Sequence, residues 1–167
     1  MIEYKNILYC TDFSEDANIA FLHALNLAKK YNATLHVFHV PHSPHRYLRH
    51  VVDEHVPKGR GHDDQAFFDK EIAGGAEKEL REAYEPKMGD FKNYVFRIAC
   101  GAPDVEIVRY AQKNEIDLIV MGALGMSDVD RLEHGGTAAS VSRYAHCHVM
   151  AIRNPAKQFT LPSPMRK

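Results

Sequence analysis

The sequence predicts an α/β protein with an open, doubly wound, mainly parallel sheet of five strands and helices on both faces. Two observations lead to this fold class. Short uninterrupted apolar runs recur along the chain, and such runs are typical of strands that are buried on both faces. Segments with apolar residues at spacings of three and four separate these runs, as expected for amphipathic helices. Strands that alternate with helices in this way favour a parallel sheet with crossover helices.

The first helix and the strands around it are well marked. The five strands are predicted near residues 5–10, 34–40, 94–99, 117–121 and 149–153. Ser14 follows the first strand and is a favourable N-cap residue for a helix that ends near Asn32. Alanine and larger apolar residues recur along one face of this helix, which predicts that the face packs on the sheet.

The remaining helices are predicted from weaker sequence patterns than the first helix. A second helix is expected from Gln65 to Tyr84, although Gly74 and Gly75 in its middle each lower helix propensity by roughly 1 kcal/mol relative to alanine. This glycine pair indicates a kink or a close packing contact. A third helix opens at Pro103, a residue that suits the first turn. A fourth helix follows the glycine pair at 135–136.

Composition limits the classes of function. The 167 residues carry a formal net charge of −1 and are 45% hydrophobic and 26% charged. This balance gives no general attraction to nucleic acid or to an anionic membrane. No secretory signal and no bilayer-spanning run is visible, and Cys10, Cys100 and Cys147 form no CxxC pair. We therefore expect a cytoplasmic protein with one domain over residues 1–153 and a flexible tail over 154–167.

The stretch from Leu118 to Val141, LIVMGALGMSDVDRLEHGGTAASV, carries the most specific pattern. An apolar strand is followed by Gly122 and Gly125, and nine further residues lead to Gly135. Glycine lets backbone N–H groups approach a phosphate, and a helix N-terminus adds partial positive charge there. The pattern G-x2-G-x9-G resembles the closing motif of the universal stress protein family, in which it binds the phosphates and ribose of ATP.

The beginning of the chain, ILYCTDFSEDANIAFLHALNLAKKYNATLHVFHV, also resembles this family. The resemblance covers roughly residues 4–40 and 94–153. It implies strand order 3-2-1-4-5, the adenine nucleotide alpha hydrolase-like fold, and a stress-response regulatory module with a pocket for ATP or AMP. It implies dimerisation through the last strand and regulatory protein partners, while the composition leads us to expect no nucleic acid and no membrane as partners. The implied binding residues are Cys10, Thr11, Asp12, Val40, Met121, Gly122, Leu124, Gly125, Met126, Ser127, Gly135, Gly136 and Thr137.

The chain departs from the family motif where the phosphates are expected. Members that bind ATP carry Ser or Thr after the third glycine, and here that position is Gly136. Ala138 stands where a second hydroxyl is frequent, and Thr137 lies between them in a register that differs by one. Asp128 and Asp130 add negative charge beside this loop. We therefore expect weak ATP binding or none, with AMP less affected.

Two features have alternative interpretations. Asp12 either faces the ligand or accepts hydrogen bonds from local backbone donors at the helix entry. The stretch 41–64 is rich in proline and glycine, and six histidines lie in or beside it: His39, His42, His45, His50, His55 and His62. We expect it to be a mobile connection that binds no structural metal. A metal-responsive protein that uses these histidines is an outside hypothesis.

Enzyme signatures are weak. The sequence contains no G-x4-GK[ST] segment and no G-x-S-x-G nucleophile elbow. We expect a nucleotide-binding module and no dedicated enzyme, with slow ATP hydrolysis left open. The main alternative is a member of the same fold that no longer holds ATP and acts through dimerisation and protein contacts.

Overall fold

The computed structural model describes residues 2–41, 62–124 and 136–156, and within 62–72 only the backbone. Strands and helices alternate along these residues. The elements are β1 (Asn6–Thr11), α1 (Glu15–Tyr31), β2 (Thr34–His39), α2 (His62–Tyr84), β3 (Tyr94–Ile98), α3 (Pro103–Lys113), β4 (Leu118–Gly122), α4 (Thr137–Tyr144) and β5 (His148–Ile152). All five predicted strands are confirmed to within one or two residues.

The strands form one sheet in the order β3-β2-β1-β4-β5, and every neighbouring pair is parallel. The predicted fold class and strand order are therefore confirmed. The chain first adds β2 and β3 on one side of β1 and then crosses to add β4 and β5 on the other. The switch point lies between β1 and β4, where Cys10 is opposite Met121. Ligands of open parallel sheets bind at the carboxyl ends of the strands beside such a point.

Helices cover both faces of the sheet, and strand alternation divides the apolar residues between two cores. On one face, α1 and α2 bury residues such as Phe21 and Leu80 against Tyr9 and Val120. On the other face, α3 and α4 bury residues such as Ile107 and Val141 against the next strand positions, including Leu8, Cys10, Ile119 and Met121. The run Leu118–Met121 is fully buried because it is covered on both faces.

The predicted helix ends are explained by local chemistry. The Ser14 hydroxyl accepts a hydrogen bond from the Ala17 N–H and caps α1. Asn32 ends α1 in the left-handed conformation, with φ of 52°, which asparagine tolerates better than most residues. Pro103 occupies the first turn of α3, where its missing N–H leaves no intrahelical hydrogen bond unmade.

Helix α2 differs from its prediction at its start. It begins at His62, three residues before Gln65, so the predicted connection is shorter than 41–64. Among the described residues, a Cβ placed on Gly74 or Gly75 would meet nothing within 4 Å, so the described part of the chain offers no close packing contact for this pair. Residues 42–61, with four of the clustered histidines, lie outside the described residues, and the mobility and metal content of that stretch stay predictions.

His36 on β2 is a half-buried imidazole with an unusual environment. Its Nδ1 lies 2.9 Å from the Tyr110 hydroxyl, and its buried Nε2 has no hydrogen-bond partner within the described residues. Burial, with the nearby positive charge of Arg97, lowers the His36 pKa from 6.5 to about 4. Between these values an unfolded chain binds a proton that the folded chain does not. His36 therefore stabilises the fold above pH 6.5, and this contribution is lost as pH falls toward 4.

Candidate functional site

The turn after β1 brings Asp12 to the carboxyl edge of the sheet. The Asp12 Oδ1 atom accepts a hydrogen bond of 3.0 Å from the Ser14 N–H, which is the local contact that one interpretation of this carboxylate predicted. Phe13 adopts a positive φ of 63° within the same turn. The turn also reaches the end of β4, because the Ser14 hydroxyl lies 3.5 Å from the Leu124 carbonyl oxygen. Two segments that are 110 residues apart in sequence therefore meet at one edge.

Beside this edge, three of the predicted site residues are buried on the α3/α4 face of the sheet. Cys10, Val40 and Met121 are each at most 7% exposed and belong to the same buried cluster. Burial raises the pKa of the Cys10 thiol, so the thiol stays protonated at neutral pH and is a poor nucleophile.

Thr11 follows Cys10 directly in sequence, but its side chain faces the opposite side of the sheet. Its hydroxyl lies 2.7 Å from the Tyr84 hydroxyl and accepts a hydrogen bond from the Phe13 N–H. Tyr84 also contacts the Tyr9 hydroxyl and donates to Asn18. Burial raises the pKa of Tyr84 above its ordinary value, so this network stays uncharged at neutral pH. The Thr11 side chain thus joins α2 to β1 within the α1/α2 core.

The end of β4 packs unusually closely against the start of α1. A Cβ placed on Gly122 would lie 2.8 Å from the Ala17 nitrogen and 3.0 Å from the Asp16 Cβ, and real Cβ atoms are essentially never found so close to a backbone atom. Two residues later, the Leu124 N–H donates to the Asp16 Oδ2 atom over 3.3 Å. Gly122 therefore has a packing function, whatever ligand the loop binds.

The start of α4 is the described end of the glycine motif. Gly136 is the N-cap residue, with φ of −72° and ψ of −177° and no side-chain cap. Thr137 is the first helical residue and is half-buried. Ala138 is 7% exposed and packs in the same buried cluster as Cys10. One turn further, the Ser140 hydroxyl donates to an Asp104 carboxyl oxygen at 2.6 Å and ties α4 to α3.

Comparisons with known proteins agree with this arrangement. The family model described as Universal stress protein family matches residues 3–153. The chain belongs to the universal stress protein family. Universal stress protein MJ0531 of Methanocaldococcus jannaschii is 30% identical over 159 residues, covering 93% of this chain and 85% of that protein. The putative universal stress protein SAUSA300_1656 of Staphylococcus aureus is 30% identical over 154 residues, covering 92% and 86%.

Solved structures, among them those of universal stress proteins, share the fold. UspA from Lactobacillus plantarum is 31% identical, with a TM-score of 0.57 over 92% of this chain and 100% of that one. Hypothetical protein MJ0577 is 23% identical, with a TM-score of 0.68 over 93% and 100%. A universal stress protein solved in complex with cAMP is 20% identical, with a TM-score of 0.57 over 90% and 98%. The last two show likeness of fold alone.

The universal stress protein motif is only partly described. Gly125, Met126, Ser127 and Gly135 lie outside the described residues, as do the acidic positions between them. The described part of the predicted site comprises the β1 end, Val40, the β4 end through Leu124, and the start of α4. Within the described residues, no group of three His, Cys, Asp or Glu side chains is placed to hold a metal ion. No helix in that part of the chain is long and apolar enough to cross a bilayer.

One residue of this edge was not predicted as part of the site. Asp16 is fully buried, although it lies in the first turn of α1, where an acidic residue is also explained by the helix dipole. A signal for it exists in the sequence. Asp16 stands four residues before Ala20 and therefore on the apolar face of α1, where a carboxyl group requires polar partners.

Proposed function

We propose that the protein is a regulatory module whose crevice at the carboxyl edge of β1 and β4 binds an adenine nucleotide, with monophosphates preferred over ATP. One observation carries this proposal. The Asp12 turn, the start of the glycine loop and the start of α4 all lie at or beside the switch point of a parallel sheet. This is where such folds bind ligands.

The described residues suit the parts of a nucleotide differently. Val40 and Met121 belong to the apolar cluster that borders the proposed base site, and the Asp12 carboxylate is the acceptor that we propose for a ribose or adenine donor. Gly136 and Thr137 supply backbone N–H groups at a helix start, which favours an anion. The side chains at 136 and 138 add no hydroxyl for the outer phosphates. This difference supports preference for AMP or another monophosphate over ATP.

The described residues also support a binding function over catalysis. The Cys10 thiol is protonated at neutral pH because burial raises its pKa, and Thr11 and Tyr84 use their hydroxyls within the core. We infer that the module binds an adenine nucleotide and that its contacts with protein partners depend on whether the nucleotide is bound. The alternative, a member that binds no nucleotide and acts through contacts alone, is favoured by the same Gly136 and Ala138.

The test is to denature the purified full-length protein and identify any nucleotide that it releases, and then to titrate stripped protein with AMP, ATP and cAMP by calorimetry. We expect released adenine nucleotide or measurable binding, with AMP bound more tightly than ATP. If nothing is released and none of the three ligands binds at millimolar concentration, the contact-only alternative is correct.

We further propose that the protein forms a homodimer through the outer edge of β5. The His148 N–H and the Ile152 carbonyl both bond toward β4, so in a parallel strand the backbone groups of Val149 and Ala151 point away from it. The sheet order ends at β5. A strand edge of this kind is a template for pairing with a second chain.

The domain organisation and compartment belong to the same proposal. The family match over residues 3–153 supports one domain over 1–153, followed by a tail from 154 to 167. All three cysteines lie in the described residues and none forms a disulfide. This state supports residence in the reducing cytoplasm.

A further inference from the structure

The N-terminal end of α1 contacts both backbone groups of Leu124, the residue at the start of the glycine loop. The Leu124 N–H donates to the Asp16 Oδ2 atom over 3.3 Å. The carbonyl oxygen of the same Leu124 lies 3.5 Å from the Ser14 hydroxyl. Gly122 lets this happen, because its missing side chain allows β4 to approach the Asp16 Cβ. The backbone that enters the glycine loop is therefore positioned by α1 in addition to the β4 strand that precedes it.

Asp16 joins this loop to the end of the last strand. Its second oxygen, Oδ1, accepts from the Asn154 N–H over 3.3 Å, two residues after β5. The side chain is 0% exposed, and a buried carboxyl group requires such partners to offset the loss of water. The neighbouring Ala123 N–H donates to the Ile152 carbonyl. The segments after β4 and β5 are thus linked to each other both directly and through Asp16.

We propose that Asp16 is the positioning residue of the nucleotide crevice. Its carboxyl group fixes the course of the backbone at Leu124, beside the carboxyl ends of β1 and β4 where we propose that the nucleotide binds. Through Asn154 it also connects the crevice to β5, the strand through which we propose dimerisation. This inference rests on the proposed nucleotide-binding function, but its structural part can be tested without a ligand.

Asp16→Asn and Asp16→Ala test this inference in complementary ways. The amide of Asp16→Asn keeps the side-chain volume and one acceptor, so it can serve only one of the two N–H groups. Asp16→Ala removes both acceptors. The matched control is Asp117→Ala, because the Asp117 Oδ2 atom also accepts from two backbone N–H groups, those of Lys5 and Asn6. Asp117 lies at the amino end of the sheet, away from the crevice.

Three measurements on the full chain separate positioning from general stability. These are thermal unfolding, amide hydrogen exchange at Leu124 and Asn154, and calorimetric titration with AMP well below the unfolding temperature. We expect both Asp16 variants to speed exchange at the two amides and to weaken AMP binding by about tenfold, equivalent to about 1.4 kcal/mol. Asp117→Ala is expected to lower the unfolding temperature while AMP binding and exchange at these two amides stay as in the wild type.

The outcomes are distinguishable. Unchanged exchange at Leu124 in folded Asp16→Asn would overturn the positioning inference, and so would an equal loss of AMP affinity in Asp117→Ala. If the wild type binds no nucleotide, the proposed function fails. The positioning of the loop is then judged by exchange alone, where faster exchange confined to the Asp16 variants supports it. If Asp16→Ala does not fold, the volume-conserving Asp16→Asn provides the result.

Discussion

Replacing Gly136 by serine should restore a phosphate donor at the start of α4. Gly136 is the N-cap residue of α4, and its φ of −72° and ψ of −177° lie in the extended region that any residue adopts. A serine fits there without backbone strain. Serine is also among the preferred N-cap residues, although it improves on glycine by only a few tenths of a kcal/mol. The substitution therefore tests the effect of the added hydroxyl on ligand binding, with little change in the stability of the helix.

The expected gain follows from the chemistry of the missing donor. A hydrogen bond to a charged group contributes roughly 1.5–3 kcal/mol, which corresponds to a gain of about tenfold to one hundredfold in ATP affinity. AMP should gain less, because it lacks the outer phosphates. Adding a hydroxyl at Ala138 is a poorer test, since that side chain is only 7% exposed in the core and a larger residue there costs packing energy.

Calorimetry with ATP and AMP at one fixed ionic strength measures both gains, and Gly136→Ala is the matched control. Alanine adds the same Cβ and the same backbone restriction without a hydroxyl. We expect Gly136→Ser to bind ATP more tightly than both the wild type and Gly136→Ala. Equal ATP affinity in folded Gly136→Ser and Gly136→Ala would refute the interpretation that a missing hydroxyl limits ATP binding.

Three further predictions concern packing, pH and assembly. Gly122→Ala should lower the free energy of unfolding by about 1–3 kcal/mol in urea titrations, because its Cβ would lie 2.8 Å from the Ala17 nitrogen; unchanged stability would contradict this. The free energy of unfolding should fall by about 1–2 kcal/mol between pH 6.5 and 4 through His36, after allowance for its partial exposure, and His36→Asn should remove that part of the pH dependence measured by urea denaturation. If the pH dependence of stability is the same in His36→Asn as in the wild type, the half-buried His36 imidazole is not the source of that pH dependence. Ala151→Pro should weaken the dimer by about tenfold in sedimentation velocity, since it removes an outward N–H from both protomers; an unaltered dimer would place the interface elsewhere.

The sequence predicted the sheet well because the signals for it are local. Four uninterrupted apolar residues from Leu118 to Met121 indicate a strand that is buried on both faces, whatever lies beside it. Ser14 and Asn32 mark the two ends of α1 by their own capping chemistry. The start of α2 was placed three residues late, because proline, glycine and histidine before His62 masked the beginning of its periodicity.

The site was predicted less completely, because its details depend on contacts between distant segments. Asp12 and Gly122 could be assigned to one edge from the strand order that the family resemblance implied. The packing function of Gly122 could not be predicted from the sequence, since it arises where β4 meets α1. Thr11 was grouped with the ligand residues on the family resemblance, but side chains alternate along a strand, and its hydroxyl faces Tyr84 in the opposite core.

The sequence by itself determined the order and kind of the elements, the glycine motif and the family of this protein. These rest on hydrophobic periods, caps and residue spacings that are read within a few tens of residues. Only the tertiary structure decided that Asp16 is buried and bonds to Leu124 and Asn154, which are 108 and 138 residues away. A carboxyl group in the first turn of a helix has the same local pattern whether it meets water or a buried loop. Its partners are set by which strands become neighbours, and that is a property of the folded sheet.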